Sequence, residues 1–249
     1  KYYINLFNEI NPDTVFSTCP LMPSEWIPIQ AARKLGKKTA LFILSWDNLS
    51  TKQRPPLPVD YIFVWNEKMK EELFLWYPGS EKSKIIISST PQFDFYFDNE
   101  YIESKQDFFG KKGLKADKPL IVYAGVTPSL MPEENLIVEK LIEDIKNGKI
   151  INSPQLLVRL HPKDSGERYR YLMERYKDVA FSIPGEKSGG NITCWFPNKD
   201  EIRDLVNIVK HCDVLINVAS TMTIDAALMD KPVVNVKYYF GKNEGRAPW

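Results

Sequence analysis

An excess of charge of either sign is missing from these 249 residues: 33 Lys and Arg stand against 32 Asp and Glu, for a net charge of +1. Without a broad basic field, nucleic acid is not an expected partner. Long hydrophobic runs are missing too. No apolar stretch approaches the ~20 residues a membrane span requires, and residues 39–46 are long enough only for a strand. Cysteine is scarce. Cys19, Cys194 and Cys212 form no C-x-x-C pair and leave an odd count, as in reduced thiols of a cytosolic protein. Metal-ligand patterns are equally lacking, with no H-x-x-x-H, no cysteine cluster and no D-x-D, so metal-independent chemistry that survives chelation is expected. The strings starting at Asn48 and Asn191 match the glycosylation acceptor pattern, but no signal peptide accompanies them and they read as chance. The chain opens on Lys1, inside an amphipathic segment, and stops at Trp249 just past a strand, so further residues are expected at both ends.

What is present is an alternation. Hydrophobic residues make up 43% and charged residues 26%, enough to bury the cores of one large domain or two modest ones. Residues 14–18 read as a short strand, followed by a helix over 23–35 that Gly36 closes. The apolar run 39–45 suits a strand buried on both faces. A strand over 61–65, a helix over 67–77 closed by Pro78 and Gly79, and a strand over 84–88 complete the first half. Residues 99–117 are polar, contain Lys and Gly, show no clear period, and are expected to link two domains, 1–98 and 118–249. The cycle then restarts, with strands over 119–124, 156–160, 179–183, 214–218 and 233–236. Helices over 133–147, 167–176, 199–211 and 222–229 separate them. Such alternation argues for parallel sheets with helices on both faces, and five strands make the second half a Rossmann-like domain.

In an open parallel sheet, ligands bind outside the carboxyl ends of the strands, and a helix N-terminus there attracts anions. His161 and Pro162 end one strand; Ser220 and Thr221 follow another and open a helix. Together they imply a held phosphate. Alternation puts Arg159 and His161 on one side of the strand, and Pro162 fixes the backbone beside Lys163. The plain alternative is a structural His at a strand end, the role assigned to His211 beside Cys212. Ser220 and Thr221 are natural helix caps, yet with Thr223 they supply more hydroxyls than a cap needs. Asp225, one turn in, could accept from ribose or sugar hydroxyls. Gly125 would let the backbone approach a ligand, with Thr127 and Ser129 as donors; a simple turn is the alternative. The segment is not G-x-G-x-x-G, so a dinucleotide is disfavoured and no cofactor is expected. Asp47, following Trp46 at the end of the apolar run in the first half, could deprotonate an acceptor hydroxyl, or simply make an Asx turn. Glu133 and Glu134 are a second candidate base, or acidic residues favouring a helix dipole. Trp195 and Phe196 could wall a nucleobase or pack in a core. Phe93, Phe95, Tyr96 and Phe97 are expected to pack between domains.

At these motifs the chain resembles the two-Rossmann (GT-B type) glycosyltransferases, including bacterial enzymes that build surface polysaccharides. Residues 213–234 resemble their donor-site signature: a strand, a small-residue loop, a helix with an acidic residue, then a strand after a Pro. His161-Pro162 with Ser220-Thr221 is similar to the His-Pro and Ser-Ser/Ser-Thr motifs of sialyl-, Kdo- and CDP-glycerol-utilising transferases, which hold a cytidine nucleotide and its phosphate. The acidic-acidic-Gly base motif of the sialyltransferases is absent here. The resemblance implies two Rossmann-like α/β domains facing across a cleft, the first incomplete. It implies a glycosyltransferase using a cytidine or uridine nucleotide sugar at Gly125, Thr127, His161, Lys163, Ser220, Thr221 and Asp225, with Asp47 and His161 as catalytic groups. A glycan or lipid-linked acceptor, a cytoplasmic location and peripheral contact with the inner membrane fit that role. A nucleotide-sugar 2-epimerase shares the fold and the phosphate grips, and a non-catalytic nucleotide-sugar-binding module would keep only the second-domain motifs.

Overall fold

The computed structural model describes residues 1–19, 22–51, 58–185, 197–218 and 220–237. The chain divides into two units, Lys1–Gln92 and Phe93–Trp249.

In the first unit, α1 (Tyr2–Ile10) ends at Asn11 in the left-handed region, at φ 45°. β1 (Thr14–Ser17) leads to α2 (Pro23–Lys34), which starts on Pro23, where a missing N–H is harmless, and carries Arg33 and Lys34 in its last turn. β2 (Lys38–Phe42) follows, then the single turn α3 (Asn48–Thr51) and β3 (Tyr61–Val64). α4 (Glu67–Trp76) is capped by Asn66, whose side chain accepts from the Met69 N–H, and leads to β4 (Lys84–Ile87). The strands pair in parallel in the order β1-β2-β3-β4. Leu41, Ile43, Ile62 and Val64 from the β2 and β3 segments bury against Ile29 of α2 and Met69 and Leu73 of α4.

The second unit opens with α5 (Lys105–Lys112), β5 (Leu120–Ala124), α6 (Glu134–Lys146) and β6 (Gln155–Arg159). α7 (Arg170–Arg175), β7 (Ala180–Ser182) and α8 (Lys199–His211) follow. β8 (Val214–Asn217), α9 (Met222–Leu228) and β9 (Val233–Asn235) end the described part. The sheet is parallel throughout, in the order β7-β6-β5-β8-β9. Every residue of β5 is buried, and its side chains alternate between two cores. Leu120, Val122 and Ala124 pack with Phe108 and Phe109 of α5, Val206 and Val209 of α8 and Ala226 of α9. Ile121 and Tyr123 pack with Val138 and Ile142 of α6 and Leu172 of α7.

Two expectations are corrected here. The stretch expected as a linker is integral to the second unit: α5 lies within it, and Phe108 and Phe109 are buried in the core. The Asn207 side chain accepts from the Glu103 N–H and donates to the Tyr101 carbonyl, fastening the approach to α5 onto α8. The aromatic cluster expected to pack between domains contributes to the core of the second unit. Tyr96 belongs to the same core, Phe93 and Phe95 pack against it, and Phe97 is exposed.

Candidate functional site

Strand order in the second sheet reverses between β5 and β8, and such a switch point leaves a crevice outside the carboxyl ends of the two strands. Ala124 is in register with Arg159 of β6 on one side and Asn217 of β8 on the other. The loops holding Gly125 and Thr127, His161 and Lys163, and Ser220 and Thr221 therefore leave three adjacent strands.

His161 lies two residues past the end of β6 and is half-buried. Its Nδ1 accepts from the Lys163 N–H at 3.0 Å, and its carbonyl accepts from the Asp164 N–H at 2.8 Å. Burial lowers its pKa below the usual 6.5, and the positive Lys163 lowers it further. A neutral imidazole whose Nδ1 is an acceptor carries its proton on Nε2, so His161 offers an uncharged N–H donor. Lys163 itself is exposed.

Arg159 does not share the role that strand alternation suggested. β6 stops at Arg159, so the period of two does not extend to His161. The Arg159 guanidinium is buried, donating to Ser182 Oγ at 3.0 Å and to Asp204 at 3.2 Å. It belongs to a cavity of about 420 Å³ between α5 and α8, lined also by Phe108, Phe181, Ser182, Asn198 and Asp204. That cavity includes none of Gly125, His161 or Ser220. Its charges are matched, Lys112 with Asp204, Lys111 with Glu103 and Arg203 with Asp200, so it presents no surplus of positive charge to a phosphate.

After β8, the buried Asn217 organises the loop: its Oδ1 accepts from the Ser220 N–H at 2.9 Å and its amide donates to Thr223 Oγ at 3.1 Å. The Ser220 hydroxyl accepts from the Met222 N–H at 3.3 Å, which makes Ser220 the capping hydroxyl. Thr221 makes no side-chain cap bond and is exposed. Asp225 accepts from the buried Tyr96 hydroxyl at 2.7 Å; burial raises its pKa and this hydrogen bond partly offsets the rise.

Gly125 is buried and makes its close approach to protein. A Cβ there would sit 3.3 Å from Glu134 Oε2, 3.4 Å from the Arg159 carbonyl and 3.5 Å from the His161 nitrogen. Thr127 is half-buried and Ser129 exposed. Glu134, a candidate base in the sequence, is 0% exposed and fully engaged. It accepts from the Val126 N–H at 3.1 and 3.2 Å, from Tyr123 at 3.1 Å, from Tyr169 at 3.0 Å and from Arg168 at 2.8 Å. Burial raises its pKa despite these donors. Buried and engaged by these donors, it anchors the Val126 segment.

In the first unit, Asp47 ends the segment after β2. Its carboxylate accepts from the Ser45 hydroxyl at 2.6 Å, the Thr51 hydroxyl at 3.1 Å and the Asn48 amide at 3.4 Å. Its carbonyl accepts from the hydroxyls of Ser50 and Thr51. That carbonyl, which also accepts from the Ser50 and Thr51 N–H groups, starts the helical turn. The carboxylate accepts from side chains rather than from the backbone N–H that defines the Asx turn weighed in the sequence. His211 is structural as expected, its Nε2 3.0 Å from the Glu103 carbonyl and its ring stacked on Phe108. Trp195, Phe196 and Cys194 lie outside the described residues. Sequence reasoning missed Arg168, which reaches the Val126 loop from far along the chain, and Asp164 and Asn217, which hold their own loops. It gave Tyr96 only a packing role, although Tyr96 donates to Asp225. No helix among the described residues is long and apolar enough to cross a membrane.

No family model matches the sequence, and no curated protein does. Solved structures do. Staphylococcus aureus MnaA with UDP has 13% identity and a TM-score of 0.61 over 95% of this chain and 61% of that one. The UDP-GlcNAc 2-epimerase of Neisseria meningitidis bound to UDP-GlcNAc has 14% identity and a TM-score of 0.62 over 94% and 62%. A glycosyltransferase from Rickettsia africae has 11% identity and a TM-score of 0.55 over 93% and 59%. This chain spans less than two thirds of each of them. The likeness establishes a GT-B-type fold of two Rossmann-like domains. Two of the three structures hold UDP or UDP-GlcNAc, and none is named for a cytidine nucleotide.

Proposed function

We propose that this protein processes a nucleotide sugar, and that its second unit holds the diphosphate of a uridine nucleotide at the loops after β5, β6 and β8. The observation that carries this reading is His161, held as a neutral N–H donor beside the switch point. The loop of Ser220 and Thr221 leaves a nearby strand, with Lys163 and Thr127 on the flanking loops and Asp225 one turn beyond as the acceptor for sugar or ribose hydroxyls. Charge building on a departing diphosphate is stabilised best by donors already fixed in place. The uncharged N–H of His161 and the hydroxyl of Ser220, both side chains held by backbone N–H groups, meet that need, with the exposed Thr221 hydroxyl beside them.

Of the two reactions associated with this fold, inversion of a sugar carbon is favoured over transfer to an acceptor. The UDP-GlcNAc 2-epimerase likeness supports it, and Asp47, the group proposed from the sequence to activate an acceptor, is committed to its own turn. In inversion at the carbon next to the anomeric one, a base takes that carbon's proton as the C–O bond to the diphosphate breaks. The diphosphate adds back as an acid returns a proton to the other face, so a base and an acid are both required. Incubation with UDP-GlcNAc in deuterium oxide, followed by proton NMR, tests the reading. A second UDP-sugar carrying deuterium at the inverted carbon is expected. UDP release that occurs only with an added sugar acceptor would replace inversion by transfer. Nucleotide binding without turnover would leave a binding module, and no binding of UDP or UDP-GlcNAc would overturn the reading.

A further inference from the structure

Arg168 sits in the 3-10 turn Glu167–Tyr169 ahead of α7 and is 15% exposed at its side chain. Its guanidinium donates to the Val126 carbonyl at 3.3 Å, the Pro132 carbonyl at 3.3 Å and the Met131 carbonyl, all in the loop between β5 and α6. It also pairs with Glu134 at 2.8 Å and, through Nε, with Asp164 at 2.7 Å. Glu134 in turn holds the Val126 N–H. The Asp164 N–H donates to the His161 carbonyl at 2.8 Å, and its carboxylate accepts from the Gly166 N–H at 2.9 Å. One largely buried cation thus spans the loop of Gly125 and Thr127 and the loop of His161 and Lys163.

Burying one positive and two negative groups carries a desolvation cost that their attraction roughly repays, and apolar residues of like volume often hold a fold as well. What apolar packing would not supply is direction. A planar fork with several donors fixes the orientation of each acceptor it meets. We propose that Arg168, with Glu134 and Asp164, is a positioning clamp that sets the His161 donor and the Gly125–Thr127 segment in the register nucleotide binding requires. This rests on the function proposed above.

Calorimetric titration of the intact protein with UDP, together with amide hydrogen exchange without nucleotide, tests the clamp. Arg168→Lys keeps the charge and removes the fork. It is expected to weaken UDP binding about tenfold, the loss that follows when about one ligand hydrogen bond is misplaced. The Val126, Lys163 and Asp164 amides should exchange faster while Val122 in β5 stays protected. Asp164→Asn, a milder change, should shift both readings in the same direction. Ile142→Ala destabilises the α6 core without removing a clamp hydrogen bond and should leave UDP affinity within about twofold. Unchanged affinity in Arg168→Lys and Asp164→Asn would overturn the clamp, as would an equal loss in Ile142→Ala at a matched fall in Tm. If the parent protein binds no UDP, the proposed function fails, and the exchange data alone decide the clamp. Unaltered exchange at Val126 and Asp164 in Arg168→Lys, or in Asp164→Asn should the lysine variant not fold, would then overturn it.

Discussion

Two forces hold the His161 ring neutral, and both come from its own neighbourhood. Burial penalises the imidazolium, and Lys163 repels it while donating a backbone N–H to Nδ1. Protonation at Nδ1 would turn that acceptor into a second donor facing the first. Nitrogen-15 NMR of the ring should show the Nε2–H tautomer at neutral pH and a midpoint below the usual 6.5. The folded pKa is depressed, so the stability this contributes is complete above about pH 6.5 and lost as pH falls through the lower folded value. A midpoint at or above 6.5 without nucleotide would show that the ring is not held this way. Asp225 illustrates the opposite sign. Burial raises its pKa, so its contribution is greatest at low pH and declines as pH rises through the folded value. The residue types near the switch point were legible because His-Pro and Ser-Thr follow apolar runs. Their partners were not. Arg168 and Glu134 lie 34 positions apart, and no local period ties such a pair together.

At the scale of elements, strands were easy to read wherever both faces are covered. β5 is a continuous apolar run, and β6 has Leu156–Val158 between Gln155 and Arg159, because α5 and α8 cover one face of the sheet and α6 and α7 the other. Helix starts followed their caps: Asn198 and Glu201 form a reciprocal capping box that opens α8. α5 escaped detection because its sequence has Lys at both ends and a Gly inside, with only two adjacent Phe residues to bury. Two neighbours in a chain produce no helical period, although 100° of turn per residue still lets both face one core. The structure makes those two side chains a sensitive test. Phe109 is 0% exposed, so Phe109→Ala should destabilise the second unit by the roughly 3–5 kcal/mol typical of a buried Phe, measured by denaturant unfolding. A loss below about 0.5 kcal/mol, usual for surface positions, would restore residues 99–117 to the role of a simple connection. Gly125 shows a similar limit. A Gly after a strand suggested room for a ligand, whereas the close neighbours of its missing Cβ are Glu134 and the β6 backbone.

For the whole molecule, each unit has its own sheet and its own core. A net charge of +1 gives the chain as a whole little long-range pull on an anionic ligand, so affinity for a diphosphate is expected to rest on short-range donors. Those assigned here all belong to the second unit. A ligand bound to the folded state stabilises by mass action, by about 2.7 kcal/mol at a hundredfold excess over Kd, and the gain is distributed through the elements that open together. Amide exchange measured with and without saturating UDP should therefore show slower exchange in β5, β6 and β8 and in the loops that follow them. Among these, Val126, Lys163 and Ser220 should respond most, because their N–H groups are held by Glu134, His161 and Asn217, side chains that fix the loop geometry. Protection confined to β1–β4 would move the nucleotide to the first unit and remove His161 from its role, even if the fold and its likeness to UDP-sugar enzymes stood unchanged.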